Sequence, residues 1–282
     1  MTIETPGSVD QGRRDRRPWS RLLAALFTRP LPGRDRARDP GRDPGRDPGH
    51  DAGPATIDFL CRPEDAGVIA PPLPARQVMP AWFKRLAAVD AEVLSPTNNA
   101  LTVKRCMPFI DALTAGFILP LAAEVRLSIA DGGKRVDAGW DFDRVMVSNH
   151  NAHQVAGHPL APRPPSKFHN YWTIRTPPGW SCLFVAPLNR PNPVVEIVAG
   201  VVDTDSYASP VNFPFFATGP DGLHVLERGM PLVQVIPFRR DCLSLAADVR
   251  AETPAEAATR DRILRCTRAA TGWYRTQARE AR

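Results

Sequence analysis

Between Glu124 and Phe238 the chain is a succession of short apolar runs rich in Val, Ile, Phe and Trp, each closed by proline, glycine or aspartate. That punctuation constrains the fold more than any other feature. The runs Glu124 to Ile129, Asp143 to Ser148, Trp172 to Arg175, Cys182 to Val185, Val194 to Val202, His224 to Leu226 and Leu232 to Phe238 have strand length and strand composition. Asp131-Gly132-Gly133 and Pro177-Pro178-Gly179 supply turn residues between them. The 31 prolines argue against a helical bundle, because a proline inside a helix removes a hydrogen bond and clashes with the preceding turn. The expectation is a mainly β domain: a sandwich, jelly roll or barrel.

Helical signals are few. Pro80-Ala81-Trp82-Phe83-Lys84-Arg85-Leu86 predicts a short helix, and Pro108 to Thr114 a second that ends at Gly116. Thr253-Pro254-Ala255-Glu256 is a capping-box pattern with proline at the first helical position. The helix it opens carries Ile263, Ala270 and Trp273 on one face, for the domain or a neighbouring subunit, with Arg260, Arg262, Arg265, Arg268 and Arg275 among its other positions.

Three regions follow: a basic low-complexity tail over 1–53, a β-rich globular domain over 54–249 and an amphipathic helix over 250–282. In the first, the units Arg38 to Gly41, Arg42 to Gly45 and Arg46 to Gly49 repeat Arg-Asp-Pro-Gly, which offers nothing to bury and reads as disordered. Ahead of them, Arg17 to Phe27 has the composition of a short basic amphipathic helix that would touch a membrane surface or a partner. The net charge of +6 resides in the two end regions, so the near-neutral middle offers no phosphate-binding face and no nucleic-acid partner is expected.

Five scattered cysteines without Cys-x2-Cys spacing indicate neither a disulfide framework nor a zinc knuckle, and fit a reducing compartment such as the cytoplasm. Leu22 to Phe27 is far shorter than a membrane span and is followed by no cleavage-site pattern, so neither stable membrane insertion nor a secretory signal is expected.

The segment Ala199-Gly200-Val201-Val202-Asp203-Thr204-Asp205-Ser206-Tyr207 ends an apolar run in two carboxylates and a tyrosine, and Gly229 to Ile236 returns with glutamine five residues after glycine. The pair resembles the dUTPase family, whose β-clip fold and trimeric habit it implies. Under that resemblance Asp203 faces the sugar 3′-hydroxyl and positions water, and Tyr207 stands in for the stacking tyrosine, though Ser206 is an insertion. Two family features are missing. Gly116-Phe117-Ile118-Leu119 has no carboxylate where the family's first motif has its metal-site aspartate, and Pro187-Leu188-Asn189-Arg190 replaces the phosphate-binding Pro-Arg-Ser-Gly. From Lys104 to Asp241 the chain also resembles a family of uncharacterised bacterial and tailed-phage proteins, through Arg105 to Gly116, Trp172 to Ser181, Val211 to Phe216 and Gln234 to Arg240. That resemblance brings a fold expectation and no chemistry.

Read from the residues alone, Asp203, Asp205 and Tyr207 alternate and would share one side of an extended strand. They are the candidate catalytic groups. Asn189, Arg190 and Gln234 are the candidate ligand-binding groups. His150 and His153, three apart after a strand-like run, are candidate metal ligands with Asp141 or Asp143 as a carboxylate partner. The aromatic segment Phe168 to Trp172 is a candidate pocket wall or a piece of core. The readings that follow are a dUTPase-like domain binding a small polar or nucleotide-like ligand, a noncatalytic assembly protein, or a metal-dependent jelly-roll oxygenase. No cofactor is specified by any of these patterns.

Overall fold

The structure is a computed structural model that describes residues 55–267. Fourteen strands form four antiparallel sheets among the described residues. The largest orders β11 (Gly200–Val202), β9 (Trp180–Val185), β14 (Pro231–Arg239), β3 (Phe117–Pro120) and β2 (Leu73–Pro74). A second places β12 (Phe213–Ala217) between β10 (Val195–Ile197) and β7 (Ser166–Phe168), with β6 (Val147–Asn149) outside β7. A third has β4 (Val125–Ala130) between β13 (Gly222–Leu226) and β5 (Arg135–Trp140), and β1 (Asp58–Leu60) pairs with β8 (Thr173–Arg175). The sheets do not close into a barrel. The mainly β expectation holds at that coarser level.

The inner rows explain the packing. In β4 Val125, Leu127 and Ile129 are buried while Arg126 and Ser128 are exposed, the period-2 alternation of a sheet with one face on a core. Those residues join Leu119, Phe168, Phe184, Phe213, Phe215, Val233 and Val235 in one apolar cluster, with Phe168 and Phe215 stacked at 4.2 Å. Strand β14 is buried over most of its length because it is central, flanked by β9 and β3.

Several predicted boundaries change. The run Val194 to Val202 is two strands in different sheets: β10 pairs with β12 and β11 with β9. The Val198 N–H to the Pro214 carbonyl at 2.8 Å carries the β10–β12 register one residue further before the chain crosses to pair with β9. The run Asp143 to Ser148 gives way to β6 over Val147–Asn149, and Arg144 before it binds Asp65. Both predicted turns are present, Asp131 to Gly133 joining β4 to β5 and Pro177 to Gly179 leading into β9.

Helix α1 (Ala81–Arg85) and helix α2 (Met107–Thr114) form as the sequence indicates, and helix α3 (Pro254–Thr267) begins on its predicted cap. Thr253 N–H donates to Glu256 Oε2 at 2.7 Å and Glu256 N–H to Thr253 Oγ1 at 3.3 Å. In α3 the described side chains are exposed apart from the partly covered Ala257 and Ile263. Ala270, Trp273, Arg268, Arg275 and the whole tail over 1–53 lie outside the described residues. No helix among the described residues is long and apolar enough to cross a membrane.

Candidate functional site

Past Val202 the chain leaves the strand. The N–H groups of Ser206 and Tyr207 both donate to the Asp203 carbonyl, at 3.1 and 2.9 Å, so residues 203–207 form a turn and the expected extended alternation is absent. Thr204 points inward, bonding Thr176 Oγ1 at 2.7 Å and Cys182 Sγ at 3.3 Å. Asp203 and Asp205 do come together, but on a cation of the same chain. Arg240 Nε lies 3.1 Å from Asp203 Oδ1 and 3.0 Å from Ser181 Oγ, while its Nη2 donates to Asp205 Oδ1 at 2.5 Å and to the Trp180 carbonyl at 3.1 Å. Ser181 Oγ donates to Asp203 at 2.7 Å and the Gly179 N–H to Asp205 Oδ2 at 2.8 Å. The Gly179 N–H, with Arg240, holds the Asp205 carboxyl below the usual carboxylate range. This network ties the end of β14 to the starts of β9 and the 203–207 turn. Tyr207 is half exposed, and its hydroxyl has no hydrogen-bond partner among the described residues.

The three candidate ligand-binding residues converge on the carbonyl end of α2. Gln234 is fully buried, accepts from Leu188 N–H at 2.8 Å, and donates to the carbonyls of Ala112 and Ala115 at 2.9 and 2.7 Å. Arg190 donates to the carbonyls of Val78, of Leu113 at 3.2 Å and of Ala75 at 3.4 Å, and its burial pulls the guanidinium pKa down. Asn189 Nδ2 reaches the Phe109 carbonyl at 3.4 Å. The last carbonyls of a helix lack intrahelical donors, and these side chains supply them. Gln234 and both terminal nitrogens of Arg190 therefore hold protein carbonyls, while the buried Arg190 Nε has no partner among the described residues.

His150 Nδ1 sits 3.0 Å from Gln154 Oε1, which also accepts from the Asn151 N–H at 3.1 Å. His153 is exposed, and Asp143 is engaged with Arg144 at 3.4 Å. Among the described residues no group of three or more His, Cys, Asp or Glu is arranged to hold a metal ion, so the two-histidine, one-carboxylate set is not assembled.

A different place has the shape of a site. A cleft of about 630 Å³ is walled by residues 60–62 after β1, by His169, Asn170, Tyr171 and Thr173 between β7 and β8, and by the loop 208–212 before β12. Asp65, itself 1% exposed, receives both terminal nitrogens of Arg144, Nη1 at 3.0 Å. The guanidinium lies against two rings, 4.3 Å from the centroid of Tyr171 and 4.8 Å from that of Phe142. Hydrogen bonds from Arg144 keep Asp65 ionised well below the ordinary aspartate value, and Asp65 in turn raises Arg144. Beyond the pair lies a second lobe of about 380 Å³ that shares Arg62, Asp65 and Arg144.

Loop order in this cleft is set locally. Asn170 bonds both backbone groups of Trp172, Asn212 Oδ1 accepts from the Asn170 N–H at 3.3 Å, and the Tyr171 hydroxyl donates to the Val145 carbonyl at 2.6 Å. His169 Nε2 is 2.8 Å from Ser148 Oγ, and burial, reinforced by Lys167, lowers its pKa so that the neutral ring prevails at pH 7. The pocket-wall reading of Phe168 to Trp172 thus applies to His169, Asn170 and Tyr171, while Phe168 is core. Nothing local in the sequence marks Asp65 and Arg144 as partners, because they lie 79 residues apart and belong to no common motif. A scan against protein-family models and a search of curated proteins find no match to this chain.

Proposed function

We propose that the globular domain is a receptor for a small polar, nucleotide-sized molecule, held in the cleft of Arg144, His169, Asn170 and Asn212, on a dUTPase-like β-clip frame. The observation that carries this reading is the cleft itself. Its volume falls within the range of about 300–1,000 Å³ typical of ligand pockets, and its polar groups are pre-ordered by mutual hydrogen bonds beside an aromatic-backed guanidinium. Neutral His169 and the Asn212 amide offer donors and acceptors without the cost of desolvating a charge.

Magnesium-dependent triphosphate hydrolysis is not part of the proposal. Asp203 and Asp205 are neutralised in part by Arg240, and Arg190 holds backbone carbonyls in place of a phosphate. A noncatalytic assembly role is the second reading. It is favoured by the arm after β14, where Leu243, Leu245 and Val249 are strongly exposed.

The test is a thermal-shift screen of the full chain against nucleosides, nucleotides, sugars and amino acids. A cognate ligand at a hundredfold excess over its Kd should raise the midpoint by roughly 5–10 °C. His169→Gln with Asn212→Ala should abolish that shift and Asp203→Asn should retain it. Loss on Asp203→Asn with binding intact in the cleft variant would return the site to the end of β11, and pyrophosphate released from dUTP with magnesium would overturn the exclusion of hydrolysis.

A further inference from the structure

The segment between α1 and α2 is an apolar excursion out of the domain. Its two arms pair through the bridge of Val89 with Leu101, through Asp90 N–H to the Ala100 carbonyl at 2.9 Å, and through Thr102 N–H to the Ala88 carbonyl at 3.2 Å. Antiparallel partners directly opposite share a face, so Val89 and Leu101 sit side by side, and both are exposed. Toward the tip Val93 and Leu94 are 51% and 57% exposed, and at the base Trp82 is 43% exposed. Soluble surfaces scatter single apolar side chains, but four large ones along one short excursion, with Trp82 at its base, make a patch that calls for a covering phase.

Charge identifies the phase. Lys84 and Arg85 end α1, and Lys104 and Arg105 close the excursion, with Lys104 Nζ bonding the Lys84 carbonyl at 2.8 Å. The four cations therefore gather at the base, beneath the apolar tip, against the two carboxylates Asp90 and Glu92 on one arm. Local hydrogen bonds hold the shape of the tip. Ser95 and Asn98 exchange both backbone hydrogen bonds, Ala100 N–H donates to Asn98 Oδ1 at 2.9 Å and Leu101 N–H to Asn99 Oδ1 at 3.2 Å. An exposed element with aliphatic tip, tryptophan and basic collar matches a bilayer interface: hydrocarbon for Val93 and Leu94, the boundary layer for Trp82, anionic headgroups for the cations.

We propose that the 86–103 excursion docks the protein reversibly on an anionic membrane surface, Val93 and Leu94 entering the acyl boundary and Lys84, Arg85, Lys104 and Arg105 meeting the headgroups. The experiment is cosedimentation of the full chain with phosphatidylcholine vesicles with and without phosphatidylglycerol. Binding should require the anionic lipid and weaken with salt. It should fall by about tenfold or more in Val93→Asp with Leu94→Asp, and likewise in Lys84→Glu with Arg105→Glu. All four side chains are exposed, so both variants should keep the wild-type thermal midpoint. If the aspartates disturb the loop, Val93→Ser with Leu94→Ser asks the same question. The basic tail 1–53 is present in every protein compared, so its contribution cancels. The proposal is overturned if wild type ignores anionic vesicles, if the tip variants bind them as wild type does, or if those variants dissociate an oligomer while vesicle binding stays unchanged. The last result would assign the excursion to a protein interface.

Discussion

A carboxylate removed from water keeps its charge only while a cation holds it, and Asp65 depends in this way on Arg144. Its folded pKa lies below the unfolded value of about 3.9, so the pair stabilises the fold fully above pH 4 and loses that contribution as pH falls through the folded pKa. His169 acts in an earlier window. Its folded pKa is lowered, the unfolded ring takes up a proton first, and stability therefore drops as pH falls below about 6.5. Urea titrations across pH should show both losses in wild type. Asp65→Asn should cost about 2–3 kcal/mol at pH 7, leave the His169 window in place and flatten the acid one. An unchanged acid limb would show that Asp65 is not held by Arg144. At this scale the sequence displayed candidate groups without their partners: Asp203 and Asp205 are visible as a pair, whereas Arg240 lies 35 residues away from Asp205 and nothing local marks the contact.

Elements were legible where the local signal and the tertiary demand agree. The capping box of α3, the stop of α2 before Gly116 and the turns at Asp131 and Pro177 each rest on backbone chemistry that acts within a few residues. Strands β7 and β12 were missed because their partners are distant: Pro214 sits inside β12 opposite Lys167, and proline argues against a strand until that pairing is known. The same limit applies to Gln234, whose position five residues after Gly229 was visible but whose amide proves to pin α2 to β14. That pin leaves no room at the end of α2. Gly116 has φ +62°, and a Cβ built there would lie 2.0 Å from the Val235 carbonyl oxygen. Gly116→Ala should therefore destabilise the protein by at least about 2–3 kcal/mol in urea unfolding. Gly157→Ala shares a positive φ of 85° but meets open space, and should cost only about 1 kcal/mol. Equal effects at the two positions would mean that backbone conformation, not the contact of α2 with β14, sets the penalty.

At the scale of the whole molecule, the described core closes on itself. Its buried members run from Leu119 to Val235, and the partly buried residues packed against them begin at Ile57. The tail over 1–53 carries the Arg-Asp-Pro-Gly repeats, whose prolines lack an N–H, whose glycines have the highest chain entropy and whose paired charges resist burial. Repeats of that composition offer no apolar area to bury, so removing residues 1–53 should move the thermal midpoint by no more than about 2 °C. Calorimetry of the full chain and the truncated chain decides this. A fall of many degrees, or aggregation of the truncated protein at the same concentration, would mean that apolar residues within Arg17 to Phe27 cover part of the domain surface.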